Sequence, residues 1–159
     1  MKGLSRALVW LWVGISVSVV TFQVAGAADD AGSPRGIIEA RRATLKKMQA
    51  AIKAIVQELK SDTPDKARLS AAAQFIDTNA GQLAGWFPPG TGPEAGVETD
   101  ALADIWKDRA RFESLATRLT TESKAFGATL AGTDVAAIRT QSKVLTEVCA
   151  GCHKSFRAQ

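Results

Sequence analysis

The chain has 159 residues, a length that suits one domain, and 23% of them are charged. Lys and Arg number 20 against 16 Asp and Glu, so the formal net charge is +4. These charges are interspersed, which is typical of the solvated faces of helices. The composition therefore excludes a strongly basic, nucleic-acid-binding protein.

The N-terminus has the features of a secretory signal peptide. Lys2 and Arg6 form a positive segment, a short apolar stretch follows, and an Ala-Gly-Ala sequence at 25–27 provides a small-residue cleavage site. The alternative is an uncleaved membrane anchor, but the apolar stretch is short for a full span. We predict a signal peptide over residues 1–27 and a soluble mature domain over 28–159, with a net charge of about +2 once Lys2 and Arg6 are removed.

Two helical segments come first in the mature chain. Ser33 and Pro34 provide a cap and a helix start for the first segment, and Thr63 is the predicted cap of the second, which runs to about Leu83. Apolar residues at helical spacing form the two inner faces: Ile38, Leu45, Met48, Ile52, Ile55 and Leu59, then Leu69, Ala73, Ile76, Ala80 and Leu83.

A loop rich in Pro and Gly, from Trp86 to Glu98, separates these segments from two more. Thr99 and Asp100 are predicted to cap a third helix that reaches Phe126, and the last helix begins at Thr133 or Asp134. Their inner positions are Ile105, Phe112, Leu115 and Leu119, then Val135, Ile138, Ser142, Leu145, Cys149, Cys152 and Phe156. The pattern predicts an all-α fold, an antiparallel four-helix bundle.

The sequence Cys149-Ala150-Gly151-Cys152-His153 lies on the last helix. Positions i, i+3 and i+4 share one helix face, so both sulfurs and the imidazole can address one flat macrocycle. C-x-x-C-H is the signature of c-type haem attachment. We predict one haem c, joined covalently through Cys149 and Cys152, with His153 as the iron ligand.

Three other uses of this motif are weaker. A structural disulfide would leave His153 unexplained, and a thioredoxin-like redox pair normally accompanies a βαβ pattern. A structural zinc site needs four ligands, whereas the chain has two cysteines and one histidine.

The residue counts limit the sixth position of such an iron. His153 is the only histidine, the chain has no tyrosine, and Met48 is the only methionine outside the predicted signal peptide. The sixth ligand is therefore Met48, a lysine, a water or exogenous molecule, or nothing.

Three stretches identify a family resemblance: the residues from Arg41 to Lys46, the Trp86–Thr91 stretch that leads to Ile105 and Trp106, and the motif through Arg157. They resemble cytochrome c′, the four-helix class of c-type cytochromes whose haem motif lies at the C-terminus. The resemblance implies a periplasmic protein that binds NO and CO.

By position, the resemblance assigns roles to three more residues. Arg41 corresponds to the family's arginine near a haem propionate, Leu45 to the residue over the distal face, and Arg157 to the basic residue beside the proximal imidazole. The alternatives are a solvated charge for Arg41, a core residue for Leu45, and a cation at a helix C-terminus for Arg157.

Leu45 carries the functional prediction. The low-spin members, which resemble cytochrome c-556, have methionine at that position, and a leucine offers no lone pair. We therefore expect a five-coordinate, gas-binding iron. The alternative is a low-spin electron carrier with Met48 as sixth ligand, although Met48 is expected to be core packing.

Two further expectations concern activity and assembly. Enzymatic turnover is the least favoured function, because there is no distal histidine or positioned acid to cleave a peroxide bond. The family often forms homodimers through its first two helices, and Ile37, Ile55 or Val56 could leave an apolar stripe for this purpose. Trp106 is expected to be a core residue.

Overall fold

A computed structural model describes residues 30–159 of the chain. The predicted signal peptide lies outside the described residues and stays a prediction. None of the helices described is long and apolar enough to span a membrane.

The described part of the chain is helical, and the predicted all-α four-helix bundle is confirmed. Its helices are α1 (Pro34–Glu58), α2 (Lys66–Ala80), a short α3 (Asp104–Lys107), α4 (Arg109–Thr129) and α5 (Val135–Phe156). Packing of α1 on α2, α2 on α4 and α4 on α5 builds the bundle, and a contact between α1 and α5 closes it. The predicted loop from Trp86 to Glu98 is confirmed as a connection between the long helices. Trp86 ends one 3₁₀ turn, and the connection holds another, Pro93–Ala95.

Two of the predicted caps are confirmed. The Ser33 side chain accepts a hydrogen bond from the backbone N–H of Gly36, with Pro34 at the first turn. The carboxylate of Asp134 accepts bonds from the N–H groups of Ala136 and Ala137. Each side chain satisfies helix N–H groups that have no partner within the helix.

The predicted cap of α2 was wrong. Asp65, not Thr63, is the cap, and its carboxylate accepts bonds from the N–H groups of Ala67 and Arg68 at 2.8 and 3.2 Å. The carboxylate accepts hydrogen bonds from two N–H groups that have no partner within the helix, and its negative charge interacts favourably with the positive end of the helix dipole. The helix also ends at Ala80 instead of Leu83, which begins a 3₁₀ turn, Leu83–Trp86.

The predicted start of the third long helix was also wrong. Asp108 is the N-cap of α4, and its side chain accepts a hydrogen bond from the backbone N–H of Arg111. The backbone of Asp108 is not helical, so this residue also separates α4 from the short α3. Thr99 and Asp100 instead bond to Arg41 and Arg157, each more than fifty residues away. The helix continues to Thr129, three residues past the predicted end at Phe126.

The core confirms most of the predicted inner faces. Its buried apolar residues include Ile38, Met48 and Leu59 of α1, Leu69, Ala73, Ile76 and Ala80 of α2, Phe112, Leu119 and Phe126 of α4, and Ile138, Leu145 and Phe156 of α5. Ile55 is only 1% exposed, which confirms its predicted inner position and excludes it from the predicted apolar surface stripe, whereas Val56 is 44% exposed.

The end of α5 is fastened to the segment that precedes α3. The N–H of Leu102 donates to the carbonyl of Phe156 at 3.0 Å, and the N–H of Ala158 donates to the carbonyl of Asp100 at 2.8 Å. Ala101 and Arg157 form an isolated antiparallel bridge between these two bonds. We call this contact the C-terminal clasp, and it fixes the chain immediately after the predicted haem motif.

The correction at α2 gives a stability prediction. Asp65→Ala should lower the free energy of unfolding by about 1 kcal/mol, because two N–H groups lose their acceptor. Thr63→Ala, the matched control, should change it by less than about 0.5 kcal/mol. Urea denaturation followed by circular dichroism measures both. Equal losses for the two variants would contradict the assignment of the cap.

Candidate haem-binding site

A cavity of about 720 Å³ lies inside the bundle, between α1 on one side and α5 on the other. Apolar side chains of α2, α3 and α4, including Ile76, Ile105 and Leu119, form much of the remaining wall. The volume lies within the roughly 300–1,000 Å³ of ligand and cofactor pockets. The bundle therefore leaves room for a large, mostly apolar group.

Cys149, Cys152 and His153 all line this cavity. Both cysteines are half-buried free thiols, and Ala150 between them also lies on the wall. The helix spacing that the sequence indicates thus brings the three groups to one face of α5.

Burial controls the ionisation of these three groups. It raises the pKa of the Cys149 thiol and, together with the neighbouring Cys149, raises the pKa of Cys152 to about 11. Burial also lowers the pKa of His153, and the positive charge of Arg157 lowers it further. At neutral pH the thiols are protonated and the imidazole is neutral, the form of histidine that coordinates metals.

The donor set fits a flat prosthetic group better than a bare ion. Among residues 30–159, no group of three or more His, Cys, Asp and Glu side chains could hold a metal ion. The two thiols and the imidazole are instead spread along one turn of a helix that faces an apolar cavity. This arrangement suits a macrocycle that is bonded at two edges and ligated at its centre.

Arg41 is a buried residue of the cavity wall, so a solvated charge was the wrong alternative. It is 3% exposed, and its guanidinium donates to the hydroxyl of Thr91 at 2.9 Å, to the carbonyl of Thr91 at 2.7 Å, and to the hydroxyl of Thr99 at 3.0 Å. The group also lies 4.5 Å from the centre of the Phe87 ring. Burial lowers the pKa of Arg41, and the charge of Glu94 opposes that effect.

Arg41 thereby anchors the loop at the rim of the cavity. The neighbouring Arg42 donates to the carbonyl and the carboxylate of Glu98, both at 3.0 Å. Trp106 donates from its indole N–H to the carbonyl of Pro88 and packs against the core, as predicted for a core residue. Sequence reasoning missed Thr91 and Thr99 as partners of Arg41, because a loop composition gives no sign of a contact fifty residues away.

The wall formed by α1 holds both side chains that compete in the functional prediction. Leu45 is half-buried and lines the cavity. Met48 lines it too, and is only 7% exposed as a member of the core. Since residues three apart share a helix face, both approach the cavity from the same side.

Arg157 is the C-cap of α5, and it lies on the wall of the cavity. Its backbone N–H donates to the carbonyl of His153 at 3.0 Å. Its guanidinium donates to one carboxylate oxygen of Asp100, at 3.2 Å from Nη2 and 3.4 Å from Nε. Asp100 was predicted as a helix cap, so its pairing with Arg157 was missed.

Comparison with known proteins identifies the family. The sequence model of cytochrome c′ matches residues 36–157, which is most of the chain. The chain belongs to the cytochrome c′ family. Haem c in this family is covalent, and Cys149 and Cys152, the only cysteines, are its attachment points here.

The relatives include both kinds of cytochrome that the sequence left open. A cytochrome c′ from Rhodospirillum rubrum is 33% identical over 148 residues, 92% of this chain and 95% of the relative. A cytochrome c-556 from Agrobacterium fabrum is 33% identical over 123 residues, 77% of this chain and 81% of the relative. Relatives of both names thus match most of the chain.

Solved structures share the fold. A cytochrome c′ from Thermochromatium tepidum has a TM-score of 0.74 and 25% identity, and the match covers 80% of this chain and 98% of that chain. A variant of cytochrome c′ from Alcaligenes xylosoxidans, solved as a nitric oxide complex, has a TM-score of 0.71 and 21% identity over the same shares. At that identity the second likeness is one of fold alone.

The anchoring of the rim gives a second prediction. Thr91→Val removes the hydroxyl that accepts from buried Arg41, so the free energy of unfolding of the cytochrome should fall by about 1–3 kcal/mol. Thr121→Val, at an exposed position of α4, is the control and should change it by less than about 0.5 kcal/mol. Thermal unfolding of the haem-loaded protein measures both. A loss no larger than that of the control would show that the contact does not hold the rim.

Proposed function

We propose that the chain is a periplasmic haem protein whose iron has one protein ligand, His153, and binds NO and CO at the opposite position. The observation that carries this proposal is the placement of Leu45. It lines the cavity from α1, whereas the Cys149-to-His153 motif lines it from α5. The proposed export of the chain to the periplasm rests on the predicted signal peptide over residues 1–27.

His153 suits the role of proximal ligand. It follows Cys152 directly on the helix face that borders the cavity, and its lowered pKa keeps the imidazole neutral at physiological pH. Arg157, four residues later, lies near enough for its charge to act on this imidazole. On the α1 side, Arg41 offers a buried cation on the wall, where a haem propionate is the expected partner.

The wall opposite His153 decides which ligands suit the iron. Leucine has no lone pair to give the metal, so Leu45 would leave the sixth position of the iron open. NO and CO bind ferrous iron without a hydrogen bond from the protein, whereas bound O₂ gains from a distal donor. The chain has no second histidine and no tyrosine for that purpose. The nitric oxide complex of the related fold is consistent with this choice of ligand.

A homodimer through α1 and α2 belongs to the same proposal. Val56 of α1 is the exposed large apolar side chain of the described residues, and Ile37 is half-buried on the same helix. A cytochrome c′ of the same fold, 22% identical to this chain, was solved with a ligand-controlled dimer dissociation.

The visible spectrum of the reduced protein tests the open site. We expect a high-spin spectrum that shifts when CO is added. Leu45→Met should place a thioether over the iron and give a low-spin spectrum with at least a tenfold weaker response to CO. Ile52→Met introduces the same side chain seven residues, or about two helical turns, further along the cavity wall and should leave the iron high-spin. A low-spin, CO-indifferent spectrum of the unaltered protein would refute the proposal.

Electron transfer by a low-spin haem is the second candidate, and the position of Met48 favours it. Met48 lines the same cavity, and relatives of the chain include cytochromes c-556. In that case its sulfur would be the sixth ligand, and the protein would carry single electrons.

Replacement of Met48 separates the two candidates. Met48→Leu should leave the spectrum and the CO response unchanged if the methionine is only core packing, as we propose. If the methionine is a ligand, the same substitution should convert a low-spin spectrum into a high-spin one that responds to CO. The spectra of the reduced variant and the unaltered protein, recorded side by side, distinguish these outcomes.

A further inference from the structure

The contact between Asp100 and Arg157 joins the cavity wall to the C-terminal clasp. Both residues line the cavity, and the guanidinium of Arg157 lies 3.2 Å from the carboxylate of Asp100. Asp100 is not part of the haem motif, and it lies in an irregular segment before α3, so it has no role in a helix.

An exposed ion pair by itself holds a long side chain weakly. These two side chains are 58% and 46% exposed, so attraction alone would leave Arg157 free to turn into solvent. Here the backbone sets the geometry instead. The bond from Ala158 N–H to the carbonyl of Asp100, the bridge between Ala101 and Arg157, and the bond from Leu102 to Phe156 hold both backbones in register.

The clasp also fixes Arg157 relative to His153. The N–H of Arg157 donates to the carbonyl of His153, so Arg157 directly follows the last turn of α5, which contains His153. The backbone of Arg157 is held by the C-terminal clasp, and its guanidinium is bound by the carboxylate of Asp100. Together these contacts define where the positive charge of Arg157 lies.

We propose that Asp100 is a positioning residue that holds the Arg157 guanidinium beside the imidazole of His153, at the edge of the haem cavity. Because His153 ligates the iron only under the proposed function, this role of Asp100 rests on that function. A fixed cation at this place stabilises the ferrous over the ferric iron, since the ferric state carries the greater positive charge.

Reduction potentials of the haem-loaded protein test this role. Arg157→Gln should lower the potential of the unaltered protein. In an Asp100→Asn background the same substitution should lower it by less than half as much, because the guanidinium is then free to leave the imidazole. Simple addition of two distant charges would instead give equal shifts in both backgrounds. In an Asp100→Glu background, which keeps a carboxylate, Arg157→Gln should lower the potential by more than it does in the Asp100→Asn background.

Two controls isolate the effect of position from that of charge. Glu39→Gln removes a carboxylate that pairs with Arg35 at an exposed site on α1, and in that background Arg157→Gln should have its full effect. Lys154→Gln removes an exposed cation next to His153 and should shift the potential equally with and without Asp100. All values are compared at one ionic strength, and far-ultraviolet circular dichroism verifies the fold of each variant.

The outcomes separate this role from the proposed function. Equal shifts on Arg157→Gln with Asp100 or Asn at position 100, or no shift in the unaltered protein, would overturn the role of Asp100. A loss of the shift in the Glu39→Gln background as well would overturn it too. A low-spin spectrum indifferent to CO would refute gas binding, and the potentials would still report whether Asp100 and Arg157 act together.

Discussion

One face of α5 has to remain uncovered by protein if its two thiols and its imidazole are to meet a haem, and the bundle is arranged around this requirement. Whereas α4 packs along α5, α1 meets it only over a short region. The space between α1 and α5 is the cavity of about 720 Å³. Empty apolar space of this size destabilises a folded protein. The bundle is therefore built for a filled cavity, and the covalent bonds to Cys149 and Cys152 keep it filled.

Local patterns in the sequence predict the parts of this structure that depend on neighbouring residues. The cap at Asp134, the core position of Ile138 and the approach of the haem motif to one helix face all follow from spacing along one helix. The haem attachment motif was predictable for the same reason, since it lies within five consecutive residues of the last helix.

The predictions that were wrong concern side chains with distant partners. Thr99 and Asp100 look like a helix cap, but their oxygens accept bonds from Arg41 and Arg157, which lie far away along the chain. The burial of Arg41 could not be predicted either, because a charged residue on a helix is usually solvated. Thr63 is a suitable N-cap residue, but the cap of α2 is Asp65, two residues later. A shift of this size is common at helix ends.

The contacts that form the rim of the cavity have a consequence for the order of folding. Arg41 and Thr91 are separated by 50 residues, and Arg157 and Asp100 by 57. Before contacts so distant in sequence can form, the chain between them must lose the conformational entropy of loop closure. The turns of each helix depend on local contacts alone. We therefore expect the rim to close after the individual helices have formed, which leaves the two thiols reachable while the cavity is still open on that side.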